Sequence, residues 1–267
     1  MRQRLDLAVV ERGLAESRAR AQALIGGGGV TVNGEVVTRA STSIGTEDRI
    51  GLAREPLPYV SRGGLKLAHA LREFAVPVSG VVALDVGAST GGFTDVLLQA
   101  GARHVYAVDV GYGQLAWTLR NDPRVTVMER TNVRTLEQLP EPIDVAVADV
   151  SFISLRLVLP VMAHLLAPRG AAIVLIKPQF EAGRTQVGKK GVVRDPAVWR
   201  EVLLRVLHAA SADGWRVLGV VRSPLRGPAG NVEFLAHLSR DPEGPTIALE
   251  DVVGQVLREP GHDMDRG

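Results

Sequence analysis

The sequence predicts a doubly wound, mostly parallel α/β domain of about seven strands, preceded by a small α+β module. Three observations carry that expectation. From Val81 onward, short apolar runs alternate with helical patterns. The stretch Leu84-Asp85-Val86-Gly87-Ala88-Ser89-Thr90-Gly91-Gly92-Phe93 reads as strand, tight glycine turn and helix. Before Pro56 and Pro58 the pattern is instead two short helices, a glycine run and a hairpin signal. The prolines divide the chain into residues 1–58 and 59–267.

In chain order, Leu5 to Leu14 have helical apolar spacing, and Ser17 can cap a second helix from Arg18 to Ile25. Gly26 to Gly29 lead into Val30-Thr31-Val32-Asn33-Gly34-Glu35-Val36-Val37, where β-formers flank Asn-Gly, the strongest short hairpin signal. Arg2, Arg4, Arg12, Arg18 and Arg20 all lie on or beside the two helices. Tyr59-Val60-Ser61-Arg62-Gly63-Gly64-Leu65-Lys66 opens a helix to about Phe74. Strands are then expected at Val81–Val86, Val105–Val108, Val125–Met128, Val145–Ala148, Ala171–Ile176, Val217–Val221 and Val232–Leu238. Helices fit at Phe93–Ala100, Gln114–Arg120, Leu155–Leu166 and Pro196–Ala212, with a short amphipathic helix at Ile247–Leu257.

Composition removes several classes of function. No apolar segment is long enough to span a bilayer, and the first residues lack a signal-peptide core, so the cytoplasm is the expected compartment. With no cysteine and no ligand-like spacing among six histidines, neither disulfides nor a metal site is expected. A net charge of +2 is too small to imply a nucleic-acid partner, which must be sought in local clustering.

The glycine turn points to a nucleotide-like ligand. Open α/β sheets bind small molecules at the carboxyl ends of their strands, where glycines allow close backbone approach. Pyrophosphate turns use G-x-G-x-x-G, whereas the spacing here is G-x-x-x-G-G with Asp85 two residues before the first glycine. A carboxylate there opposes phosphate and suits the amino and sulfonium charges of S-adenosylmethionine (SAM). Asp109, closing the next strand, is placed for ribose hydroxyls, although that acid alone fits NAD equally well. The expected cofactor residues are therefore Asp85, the turn Gly87, Ala88, Ser89, Thr90, Gly91, Gly92 and Phe93, and Asp109.

Asp149, Lys177 and Glu233 stand at strand ends on the same rim, and Lys66 precedes the core on the linker helix. A lysine closing an apolar strand is costly to bury unless paired, so Lys177 should meet carboxylates from Asp149 and the Asn231-Val232-Glu233 segment. Lys189 and Lys190, with Arg184 and Arg194, surround a glycine-containing loop that suits either a phosphate clamp or a solvated charge run.

Arg4-Leu5-Asp6, Ser17-Arg18, Ala21, Ile25 and Val30-Thr31-Val32-Asn33-Gly34 resemble the small RNA-binding module named after ribosomal protein S-four. That resemblance implies RNA contacts at Arg4, Arg18 and Arg20. Lys66, Asp149, Lys177 and Glu233 in chain order resemble the K-D-K-E tetrad of FtsJ-like ribose 2′-O-methyltransferases, which are Rossmann-like class I SAM-dependent enzymes. With Ser61–Lys66, Asp149–Ser154 and Lys177–Glu181, the chain resembles the TlyA family of haemolysin-like ribosomal RNA methyltransferases. The resemblance implies methyl transfer from SAM to cytidine ribose in ribosomal RNA or ribosomal subunits, a further RNA contact at Arg62, and Asn132 on the adenine side of the cofactor. A membrane-lytic protein or a noncatalytic assembly factor is the alternative, the first opposed by the lack of any spanning or amphipathic hairpin pattern.

Overall fold

The computed structural model describes residues 2–26, 28–53, 57–245 and 247–259; Gly27 and Pro56, counted above in the glycine run and the linker, lie outside them. The chain divides into two compact units, Met1–Pro58 and Tyr59–Gly267.

The first unit comprises β1 (Arg2–Arg4), α1 (Leu5–Glu11), α2 (Arg18–Gly26), β2 (Val30–Val32), β3 (Glu35–Val36), β4 (Ser43–Gly45) and β5 (Ile50–Leu52). α1 stops short of Leu14 because Gly13 turns left-handed (φ 70°) and lets the Leu14 N–H return to the Val9 carbonyl, a glycine C-terminal cap. Ser17 caps α2, its Oγ accepting from the Arg20 N–H at 3.2 Å. Asn33 and Gly34 adopt φ 53° and 88°, the two positive values a two-residue hairpin of matching twist requires. β2 pairs antiparallel with both β3 and β5, and Leu5, Val9, Ile25, Val30 and Ile44 are buried beneath.

The second unit runs α3 (Gly63–Phe74), β6 (Val82–Val86), α4 (Gly92–Gln99), β7 (His104–Val108), α5 (Trp117–Arg120), β8 (Val125–Met128), β9 (Ile143–Ala148), α6 (Leu159–Leu165), β10 (Leu166–Ile176), α7 (Pro178–Glu181), α8 (Pro196–Ala212), β11 (Arg216–Arg222), β12 (Phe234–Ser239) and α9 (Leu249–Arg258). Its seven-stranded sheet has the order β11-β12-β10-β9-β6-β7-β8. β12 is antiparallel to both its neighbours; the other pairings are parallel. The order reverses between β6 and β9, and it is at such a switch that open α/β sheets place their ligands.

Strand parity sorts the side chains between the two faces. Val82, Leu84 and Val86 face the layer that contains Leu159, Met162, Leu203 and Val206, whereas Ala83 faces that of Leu67, Phe93, Val96 and Leu97. Asp85 shares the parity of Ala83 and so is directed toward α4.

Two helices are shorter than their sequence spacing suggests. Ala116 is extended (ψ 139°) because its N–H is used to bond the Thr90 carbonyl, and α5 begins only at Trp117. The expected Leu155–Leu166 helix breaks into a 3-10 turn at Leu155–Leu157 and α6, whose first turn carries Pro160; proline disfavours helical backbone just before it. The last strand starts at Phe234 rather than Val232, since residues 227–231 are folded into a tight turn by the bonds Gly227 N–H to Asn231 O and Gly230 N–H to Gly227 O.

Candidate active site

Everything on the rim is set out by where the strands end. β6 runs into a turn in which Gly87 and Ala88 both donate backbone N–H groups to the Val108 carbonyl, fastening it to the end of β7. Gly87 has φ 83°, and a Cβ there would lie 2.7 Å from the Asp149 carbonyl oxygen. Its backbone is therefore packed closely against the neighbouring strand end as well as lining both cavities described below. Gly91 is likewise a packing position, since its Cβ would strike Leu119, and it lines neither cavity described below. Gly92 opens space for the start of α3: a Cβ would strike Ser61 Oγ and come within 2.9 Å of the Gly64 nitrogen. Asp95 on α4 completes this junction by accepting the Val60 N–H at 2.8 Å, so the segment leading to Lys66 is tied to the helix that the glycine turn begins.

Asp109 closes β7 with both oxygens engaged, accepting Ser89 N–H at 2.8 Å and Gly111 N–H at 2.6 Å. These bonds hold Ser89 in a left-handed conformation (φ 50°), which a non-glycine residue adopts at a cost. Each carboxylate oxygen retains a lone pair for a ligand hydroxyl.

A cavity of about 410 Å³, within the size range of small-molecule sites, lies beside this turn. Val108, Val110, Val133, Ile153 and Val158 give it apolar walls, and Asp109, Gln114, Asn132 and Asp149 place polar groups on its edge. A smaller cavity of about 170 Å³ adjoins it through shared Gly87, Ser89, Asp149 and Ser151, and is lined further by Ser61, Gly63, Ala88, Thr90, Gly92, Phe93 and Lys177. An apolar slot edged by a hydroxyl-binding acid fits an adenosine. A small polar chamber with a carboxylate and a glycine-rich backbone fits the amino-acid end of SAM. Asn132 lines the large cavity, and its Oδ1 accepts the Arg134 N–H at 3.1 Å, capping a short 3-10 turn.

Asp85 departs from its expected place. It is fully buried and lines neither cavity; its Oδ2 accepts the Thr94 hydroxyl at 2.6 Å beneath the start of α4. Burial, with the Asp149 and Asp109 charges nearby, raises its carboxyl to about 7. The sequence places this carboxylate beside the charges of SAM; strand parity directs its side chain into the helix layer beneath the turn.

The four chemistry-bearing residues form two ion pairs. Lys177 Nζ lies 2.5 Å from Asp149 Oδ1 and donates to Ser151 Oγ at 2.9 Å. Lys66 Nζ lies 2.5 Å from Glu233 Oε2, almost wholly buried. Glu233 thus pairs with Lys66 rather than Lys177. The antiparallel register explains its presence at the rim: Phe234 faces Ile176, so the residues just beyond, Glu233 and Lys177, emerge side by side. Gln179, on the short helix that follows Lys177, donates from Nε2 to Glu233 Oε1 at 3.4 Å. Ser61, Ser151 and Gln179 fall within the motifs Ser61–Lys66, Asp149–Ser154 and Lys177–Glu181, but the sequence does not single them out, because isolated polar residues carry no periodic signal. Nor does it single out Phe152, which is 91% exposed with φ 63°, lines the large cavity and packs its ring 4.9 Å from Phe180. Lys189, Lys190 and Arg62 are all exposed.

In the first unit the arginines divide in two. Asp6 is buried and accepts from Arg4 Nε and Nη2 (both 2.9 Å), Arg18 Nε (3.0 Å) and Gln22 Nε2 (2.8 Å). These hydrogen bonds, Arg4 first, hold its carboxyl far below the usual range. Arg4 and Arg18 are therefore structural members of a network as well as partly exposed cations. Arg20 is exposed on the same helix.

A mostly parallel sheet whose switch point holds an apolar cavity, an aspartate at the end of β7 and a polar glycine-lined chamber has the layout of a SAM-dependent methyltransferase. Known proteins agree with that class. The chain belongs to the FtsJ-like methyltransferase family, whose model matches residues 59–240, and an S4 domain matches residues 3–50. It is 48% identical to the 16S/23S rRNA (cytidine-2′-O)-methyltransferase TlyA of Mycobacterium tuberculosis, over 97% of this chain and 98% of that one. It is 50% identical to YqxC of Bacillus subtilis, over 96% and 93% of the two chains. A solved structure from Streptococcus thermophilus, named as a hemolysin, superposes with a TM-score of 0.74 at 43% identity, covering 96% of this chain and 95% of its own.

Proposed function

We propose that this protein transfers a methyl group from SAM to the 2′-hydroxyl of cytidine in ribosomal RNA. The observation that carries this is the Lys177–Asp149 pair, placed where the glycine-lined chamber opens, with Asp149 also bordering the larger cavity. SAM supplies an electrophilic methyl on a positively charged sulfur. The residues must align a ribose hydroxyl, a poor nucleophile at neutral pH, and manage its proton. Lys177 can do so in either protonation state, since as an amine it takes the proton and as an ammonium it stabilises the developing alkoxide. Asp149 and Ser151 hold its Nζ at the chamber mouth. The buried Lys66–Glu233 pair, to which Gln179 donates, holds the neighbouring part of the same rim.

The S4 domain supports an RNA substrate, with Arg20 as the principal phosphate contact and Arg4 and Arg18 contributing their exposed portions. Arg62, Lys189 and Lys190 supply further phosphate contacts around the methyltransferase site. No helix among the described residues is long and apolar enough to cross a membrane. An rRNA substrate places the reaction in the cytoplasm.

Tritiated SAM supplied with each unmethylated ribosomal subunit, followed by mapping of the labelled nucleotide, tests the assignment. Label is expected at a cytidine, in a linkage resistant to alkaline hydrolysis, as 2′-O-methylation requires. Label on a base, or none on either subunit, would overturn it.

A further inference from the structure

The loop that carries Asp149, Ser151 and Phe152 is joined to the segment that carries Lys177 at three points. Lys177 reaches Asp149 and Ser151, and Phe180 packs on Phe152. Glu181, at the end of α7, makes the third: its Oε2 accepts the Ser154 hydroxyl and its Oε1 the Leu155 N–H, both at 2.7 Å. Glu181 is only 8% exposed, and its backbone is fixed in turn, because Arg205 of α8 donates from Nη1 to the Glu181 carbonyl at 3.2 Å. It lines neither cofactor cavity, so any contribution it makes to the reaction passes through the residues it holds.

Those residues depend on it. The Ser154 hydroxyl, donating to Glu181, keeps its lone pairs for the Arg156 N–H at 3.3 Å and so caps the 3-10 turn at Leu155–Leu157. The stretch from Asp149 to Ser154 is therefore anchored at both ends, by the Asp149 N–H on the Val86 carbonyl at 3.0 Å and by Glu181. Between the anchors Phe152 is left-handed (φ 63°), a conformation that a bulky residue keeps only where its surroundings enforce it. Released at the Ser154 end, the loop can relax at Phe152, and the adjacent Ser151 moves with it, away from the Lys177 amine. Burial outweighs the hydrogen bonds from Leu155 and Ser154 and raises the Glu181 carboxyl above the ordinary glutamate value, so what the site gains from this side chain is bonding geometry rather than a well-solvated charge.

We infer that Glu181 is a positioning residue for methyl transfer: by clasping the Ser154–Leu155 end of the loop, it keeps Asp149 and Ser151 where they aim Lys177. The inference rests on the role proposed above for Lys177 and extends it to a residue that meets neither cofactor nor ribose.

The test uses the full-length chain, tritiated SAM and unmethylated ribosomal subunits, with single-turnover rates measured at saturating SAM and subunit. Glu181→Ala should lower the rate about 10²-fold, as a misplacement of about 1 Å does, while SAM and subunit affinities stay within about five-fold of wild type. Glu181→Gln keeps an oxygen for the Leu155 N–H and gains an amide that can donate to the Ser154 oxygen, so its rate should lie within about three-fold of wild type. In the Lys177→Ala background, Glu181→Ala should cost less than about three-fold more, because two residues that act through one amine do not add. Amide hydrogen exchange over residues 149–155 should quicken in Glu181→Ala, showing that the clasp has opened. Melting temperatures identify any variant that fails to fold. Should Glu181→Ala be one, Ser154→Ala, which removes a single bond of the clasp, carries the same test with a loss of about five-fold, again absent without Lys177. A wild-type rate in the folded variant, a rate for Glu181→Gln as low as for Glu181→Ala, or a full additional loss on top of Lys177→Ala overturns the inference and leaves the proposed function standing. Methyl transfer to neither subunit by the wild-type chain overturns the proposed function, and this inference with it.

Discussion

Lys177 concentrates the chemistry into one amine, and its surroundings say what its removal should do. Lys177 lines the small chamber but neither the larger cavity nor the S4 domain, so Lys177→Ala should lower SAM affinity only modestly and leave RNA affinity nearly unchanged, while single-turnover methylation falls by roughly 10²–10⁴. Lys177→Arg should not restore it, because a guanidinium neither yields a proton at neutral pH nor fits the Asp149–Ser151 donor geometry. Wild-type turnover in Lys177→Ala would remove the residue from the mechanism. Asp85 gives a second test, through pH. A carboxyl raised to about 7 in the folded state binds its proton more tightly than in the unfolded chain. Its site therefore favours folding most at acid pH, and that advantage is lost as pH rises from the unfolded value, about 3.9, through 7. The melting temperature of Asp85→Asn relative to wild type should accordingly climb across that interval and level off above it. A pH-independent difference would mean that Asp85 is ionised throughout. These residues also show what a sequence conveys and what it withholds. That Lys177 needs a carboxylate is legible, because a strand-ending lysine cannot be buried alone. That Glu233 chooses Lys66 is not, since the choice follows from the β10–β12 register and the docking of α3 on α4, both long-range.

Among the elements, α2 of the first unit combines two roles on one short helix. Arg18 reaches back to buried Asp6, whereas Arg20 is exposed. Arg20→Ala should therefore weaken rRNA binding and reduce its salt dependence with little change in stability. Arg18→Ala should lower stability as well, because a buried carboxylate loses a donor. Fluorescence anisotropy and thermal melting of the two single variants separate these effects; equal melting temperatures would mean that the Asp6 network is dispensable. The same carboxylate makes the unit acid-sensitive. Its folded pKa is depressed, so the stabilisation is complete above the ordinary aspartate value of about 3.9 and drains away as pH falls below it. The hairpin that follows is legible from Asn33-Gly34, since the turn needs two positive φ values. The shortened α5 and broken α6 are less so, because a tertiary hydrogen bond from Ala116 and the backbone restriction of Pro160 override good helical spacing.

At the scale of the whole molecule, the two units each own a core. Buried residues of the first come from positions 5–44, and those around the large sheet from positions 67–256. Removing residues 1–58 should thus leave SAM binding, measured by calorimetry, within about two-fold of wild type, while affinity for rRNA drops steeply. Loss of SAM binding in the truncated protein would show that the second unit depends on the first. Within the large sheet, the Lys66–Glu233 bond spans 167 positions of sequence, and Glu233 is held on the rim by the last strand to be translated. A chain growing from a ribosome can fold its S4 domain and the β6–β7–β8 half of the sheet while the rest is still being made. The rim is completed only when the segment through β12 has left the exit tunnel. Methylating power should therefore arise at release rather than gradually during synthesis, and a nascent chain tethered before that point should be able to hold RNA yet be unable to modify the ribosome that is making it.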